Sequence, residues 1–140
     1  MSSSNVYQTF SSPDAPAALG PYSQTVVHNG VAYLSGCVPF DPKTMKMVEG
    51  GEGDASAEGV IETQTKQVLT NLFAVLKAAG ADKSSVLKTT VFIKNMEHFK
   101  RINGVYEQVR SSGFGRSYSE RRASDIHSAR YFSFADVCPL

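Results

Sequence analysis

Little net charge, few cysteines, no metal-like histidine spacing and no long apolar run characterise this chain, and each shortage closes off a class of function. Fourteen Lys and Arg against thirteen Asp and Glu leave a formal charge of +1. No general attraction to nucleic acid or to a membrane surface follows, so neither is expected as a partner. The only two cysteines, Cys37 and Cys138, are far apart in sequence and have no paired spacing of the kind that binds zinc. Reduced thiols in an intracellular compartment are the expectation. His28, His98 and His127 have no ligand spacing, so no metal is expected. No apolar stretch approaches the roughly 20 residues that span a bilayer. Met1 to Asn5 has neither the apolar centre of a signal peptide nor the Arg pattern of a transit peptide. A soluble cytoplasmic protein is expected, with the mitochondrion as the alternative.

What is present suits one domain over residues 1–140, since a chain of 140 residues can bury about two thirds of its unfolded surface in one core. The clearest local structure lies between Ala15 and Pro42. Thr25-Val26-Val27-His28 and Val31-Ala32-Tyr33-Leu34 are β-rich runs separated by Asn29-Gly30, a pair that tolerates positive φ at both central positions. A type I′ hairpin is predicted. Gly20-Pro21-Tyr22-Ser23 turns the chain into the first strand, and Ser35-Gly36 closes the second, leaving a backbone N–H unscreened by any side chain and suited to a bound anion. Val6 to Phe10 alternates as a short edge strand would.

From Ser56 to Ala79 the period changes to that of a helix. Ile61, Thr65, Val68, Leu69, Leu72, Phe73, Leu76 and Ala79 share one face, with Asp54 or Ser56 at its start and Gly80 at its end. Val86 to Ile93 reads as a central strand with a polar exit at Lys88. Asn95 then caps a second helix whose face carries Met96, Phe99, Ile102, Val105, Tyr106 and Val109. Strands, helix, strand, helix imply an α+β fold with helices packed on one face of a mixed β-sheet.

The run Ala15 to Gln24, followed by Tyr33-Leu34-Ser35-Gly36, Val38-Pro39, Gln64 to Leu72, Ala78-Ala79-Gly80, Val86 to Ile93 and Asn103-Gly104-Val105-Tyr106, resembles the Rid (reactive intermediate deaminase, YjgF-like) family. The resemblance implies a chorismate-mutase-like fold, a homotrimer with its sheets around a central barrel, and pockets between subunits. It implies hydrolytic deamination of reactive enamines and imines, such as 2-aminoacrylate and 2-iminobutanoate, to 2-keto acids and ammonia, with no cofactor. Carried over residue by residue, Tyr22 is the pocket tyrosine, Ser35 and Gly36 lie at the substrate carboxylate, and Asn103 is the helix asparagine. Arg116, within Gly115-Arg116-Ser117, aligns with the carboxylate-binding arginine, a role that suits its planar fork. Taken alone, each has a blander reading: a packed tyrosine, an ordinary turn, a surface asparagine, a solvated arginine.

After about Gln108 the resemblance drops sharply. Residues 109–140 are rich in Ser and Arg and poor in the alternation of a half-buried strand. The family's acidic closing strand has no clear counterpart, Arg130 to Ala135 being a substitute of similar position only. A genuinely divergent end and a shifted reading frame or alternative splice are the two explanations, the second being favoured. Translating the other two frames of the coding DNA separates them. Two further functions stay open: a non-catalytic module of the same fold that binds small carboxylates or a protein, and an RNA-binding ribonuclease that inhibits translation.

Overall fold

Asn29 and Gly30 take φ of 49° and 76° in the computed structural model, which describes residues 6–49, 57–110, 118–122 and 131–137. The predicted hairpin closes on them. Strand β2 (Thr25–His28) pairs antiparallel with β3 (Val31–Cys37), and β1 (Gln8–Phe10) adds to the outer edge of β2. Helix α1 (Ala57–Ala78) follows. Gly80, at φ 79°, ends it in the left-handed conformation that a Cβ disfavours. The capping candidates Asp54 and Ser56 lie outside the described residues.

Strand β4 (Val86–Ile93) leads through a turn at Met96–His98 into α2 (Phe99–Arg110). As the sequence suggests, Asn95 caps this passage by accepting the Glu97 N–H at 3.0 Å. The capped turn is a short 3₁₀ segment, however, and Met96 stands half exposed rather than on the buried face of α2. Strands β5 (Tyr118–Arg122) and β6 (Tyr131–Val137) complete a six-stranded sheet in the order β1-β2-β3-β6-β4-β5. All neighbours are antiparallel except β4 and β5, so the sheet is mixed.

The weak alternation of residues 109–140 offered only Arg130 to Ala135 as a substitute for a closing strand; β6 forms over nearly those residues and takes the central position between β3 and β4, and β5 forms as well. Both flanking strands present a ladder edge that needs a partner, and the run Tyr-Phe-Ser-Phe-Ala-Asp-Val supplies residues that favour a pleated surface. Position in the sheet therefore outweighs imperfect alternation.

Both helices cover one face of the sheet. Ala32 and Leu34 of β3 pack with Leu72, Val75 and Leu76 of α1 and with Val86. Ile61, Val68 and Leu69 of α1 pack with Val91 and Ile93 of β4 and with Ile102, Val105 and Tyr106 of α2. Burying a side chain of this size stabilises the fold by about 2 kcal/mol, so these clusters hold the helices to the sheet. Alternate residues fall on the other face, where Val26, Thr90 and Phe92 are part-buried and Tyr33 is half exposed. Arg101 bridges the two helices through paired hydrogen bonds to the Glu62 carboxylate. That pair is partly solvated and adds modestly to stability.

Candidate active site

Strand β3 does not run straight. Leu34 is in register with Ala135 and Cys37 with Ser133, so Ser35 and Gly36 together stand opposite the single residue Phe134. This is a β-bulge, which bends a strand and takes backbone groups out of the regular ladder. It sits at the Ser-Gly pair singled out from the sequence.

Beside the bulge lies a cavity of about 30 Å³ lined by two walls and a residue between them. One wall is irregular chain and supplies Ala15, Pro16, Ala17, Leu19 and Tyr22. The other is the end of β3 and its continuation, Ser35 to Val38. Gln24 stands between. A cavity of this size has room for about one or two groups as large as a water or a methyl. A wider cleft is lined, among others, by Phe10, Ser12, Ala17, Tyr22 and Gln24.

Each wall is held by identifiable hydrogen bonds. Ser35 donates its backbone N–H to the Gln24 carbonyl at 2.9 Å and its hydroxyl to the Ser23 carbonyl at 2.6 Å. Both donors of Ser35 are thereby engaged within the chain. Tyr22 is half exposed, and its phenol oxygen accepts the Leu19 N–H at 3.3 Å. The Gln24 carboxamide reaches the irregular wall twice: Oε1 accepts the Ser12 N–H at 2.7 Å, and Nε2 donates to the Pro16 carbonyl at 2.8 Å.

The segment after β3 is anchored from α1. Asn71 is fully buried and donates through Nδ2 to the carbonyls of Val38 and Phe40, both at 2.9 Å, while its Oδ1 accepts from Gln67. Gln64 similarly donates to the Val48 carbonyl at 3.1 Å. The turn these bonds secure is closed by Asp41, which accepts the N–H groups of Lys43 and Thr44. Those bonds hold its carboxyl below the ordinary carboxylate range.

Cys37 keeps some accessible surface, yet it packs against both core clusters, and burial pushes its thiol up to about 12. A thiol so placed stays protonated and acts as a small apolar side chain, as its sequence context suggests. No group of three or more metal-ligating side chains occurs among the described residues, and no helix among them is long and apolar enough to cross a membrane.

Of the candidates from the sequence, the structure brings Tyr22, Ser35 and Gly36 to one cavity. Asn103 lies on α2 and is not among the residues lining it. Arg116 falls outside the described residues. Sequence reading missed Gln24, Asn71 and the bulge itself. A signal for Asn71 existed: Gln64 and Asn71 are seven apart and interrupt the apolar stripe of α1, where a polar side chain needs a buried partner. Gln24 had no such signal.

Comparison with known proteins bears on this arrangement. A family model described as Endoribonuclease L-PSP matches residues 12–120. A Capra hircus protein named 2-iminobutanoate/2-iminopropanoate deaminase is 41% identical over 112 residues, 80% of this chain and 75% of that one. A RutC family protein of Synechocystis is 45% identical over 94 residues, 67% of this chain and 66% of that one. Among solved structures, a protein of the conserved Rid family from Yersinia pestis superposes with a TM-score of 0.82 at 32% identity, over 95% of this chain and 99% of the other. The E. coli protein TdcF, solved with bound serine, superposes with a TM-score of 0.81 at 25% identity, over 95% and 99%.

Proposed function

The chain belongs to the endoribonuclease L-PSP (Rid, YjgF-like) family, and on that premise we propose that it deaminates reactive enamines and imines that carry a carboxylate. The observation that carries the reading is the convergence of Tyr22, Ser35 and Gly36 on one small cavity beside the β3 bulge. Several relatives bear the corresponding deaminase name.

The chemistry asks little of the protein. An enamine such as 2-aminoacrylate tautomerises to the imine, water adds to the imine carbon, and ammonia leaves with a 2-keto acid behind. Holding the substrate still beside an ordered water supplies much of the acceleration, and donors aimed at developing charge supply more. Arg116 anchors the carboxylate in this reading. Because Ser35 has committed both its donors internally, the backbone N–H left to assist falls to Gly36. Tyr22 forms an aromatic wall and offers its phenol. The lining of alanines, a proline, a leucine and a valine suits a short alkyl group and is too small for a nucleobase, which favours this reading over RNA cleavage. No organic cofactor or metal enters the reaction.

We further propose a homotrimer with pockets between subunits, in which Asn103 serves a neighbouring chain's pocket. The half-exposed Tyr33 and the part-buried Val26 and Phe92, on the sheet face opposite the helices, support an assembly through that face. Residues 109–140 are the divergent part of this single domain.

Ammonia release from 2-aminoacrylate generated in situ, followed for the parent and for Arg116→Ala, tests the reading. Losing a charged anchor should lower kcat/KM by about 100-fold. An inactive parent sinks the assignment, and a fully active Arg116→Ala variant removes Arg116 from it. Light scattering at the assay concentration should give the mass of three chains.

A further inference from the structure

The two walls of the cavity meet at one residue. The backbone carbonyl of Gln24 accepts the Ser35 N–H and so belongs to the strand wall. Its carboxamide holds Ser12 and Pro16 and so fixes the irregular wall. Between Ser12 and Tyr22 the chain has no helix or strand to keep it in place. Besides the Gln24 bonds, its supports include burial of Ser12 and Ala15, local bonds from the Ala15 N–H to the Ser12 carbonyl and from the Asp14 N–H to the Ser12 hydroxyl, and contacts within the Leu19 to Tyr22 turn. Pro16 has no N–H of its own to donate, so its carbonyl is the group through which that position can be tied.

We propose that Gln24 is a positioning residue that sets the width of the cavity and thereby the size of the substrate's alkyl group. The inference rests on the deaminase reading for its substrate class. Gln24 acts through the walls: it holds Ala15, Pro16 and Ala17 at a fixed distance from Gly36 and Val38. A glutamine fits the task because one planar amide presents an acceptor and a donor side by side, matching one N–H and one carbonyl of the loop. With the brace gone, the irregular wall is free to move outward and admit longer side chains. A tight apolar pocket separates ligands differing by one methylene by about 10-fold or more, so the width of this cavity should show directly in selectivity.

The experiment compares Gln24→Ala and Gln24→Glu with the parent. Binding of 2-oxobutanoate and of 4-methyl-2-oxopentanoate is titrated by NMR, and turnover of the corresponding imines is measured alongside. The parent should prefer the shorter acid, and Gln24→Ala should cut that preference by at least about fivefold, raising KM for the short imine while leaving kcat within about twofold. Gln24→Glu keeps the acceptor for Ser12 but loses the donor to Pro16 when ionised. Its selectivity should therefore be weakened at neutral pH and recover as the pH falls and the protonated acid again donates. A merely structural role would lower thermal stability without this pH-dependent recovery. Unchanged selectivity in both folded variants, or a parent that shows no size preference, overturns the proposal. Size-selective binding without ammonia release would sink the deaminase reading and leave the role of Gln24 standing.

Discussion

The two walls of the cavity are built on different principles. The strand wall, Ser35 to Val38, is continuous with a β-ladder and is tied to α1 by Asn71, a residue with no exposed surface. The irregular wall, Ala15 to Tyr22, buries one apolar side chain, Ala15, is held otherwise by short-range turns, and is tied to the start of β2 by one half-buried glutamine. Regular structure distributes its support over many bonds, so no one side chain controls the strand wall's shape. The irregular wall concentrates its support, which makes it the adjustable side of the site.

Breaking the anchored side should have the largest effect on stability. Asn71→Leu leaves the Val38 and Phe40 carbonyls without their donor in a buried setting, and unfolding in urea should show a loss of about 2 to 4 kcal/mol. A loss below about 1 kcal/mol would mean that the strand wall is held by its ladder alone.

Cys37 adds an alkaline limb on the same side. Its thiol is raised in the folded state to about 12 from an ordinary 9.0, so the protonated form is favoured by folding. That contribution is fully present below pH 9 and is lost as the pH rises toward 12, at most about 1.4 kcal/mol per pH unit. Cys37→Ala should flatten the decline between pH 9 and 11. An identical slope in parent and variant would place the thiol outside the coupling.

The smallest effect sharpens the contrast from beneath the sheet. Thr25 and Thr89 are fully buried, and their hydroxyls have no hydrogen-bond partner among the described residues. Replacing either with valine removes an unsatisfied group at nearly constant shape, and thermal unfolding should be unchanged or stabilised by about 1 kcal/mol. Destabilisation by a similar amount would reveal a partner for that hydroxyl.

Local rules made much of this fold legible in the sequence. Asn29-Gly30 announces a hairpin because few pairs accept positive φ twice, and the three-to-four spacing from Ile61 to Leu76 marks a buried helical face. Periodicity identifies apolar faces, however, and says nothing of polar groups that work on distant backbone. The structural roles of Gln24 and Asn71 were therefore missed, their partners lying 8 to 33 positions away. The bulge at Ser35-Gly36 depends on the register of β6, which no pattern within β3 encodes. Ser35-Gly36 stood out by its local turn and Tyr22 by a family resemblance, and the cavity unites them.

The position of β6 also bears on how the molecule is made. It is the last described strand in chain order yet the fourth across the sheet, where it separates the β1-β2-β3 ladder from the β4-β5 pair. During synthesis neither half can close on the other until Val137 has emerged from the ribosome. Until then β3 and β4 each present an open edge to the crowded interior of the cell. Completion by a late, sequence-distant strand makes folding slow relative to local hairpin formation. A nascent chain stalled before residue 131 would carry α1, α2 and a split sheet, a natural substrate for chaperones.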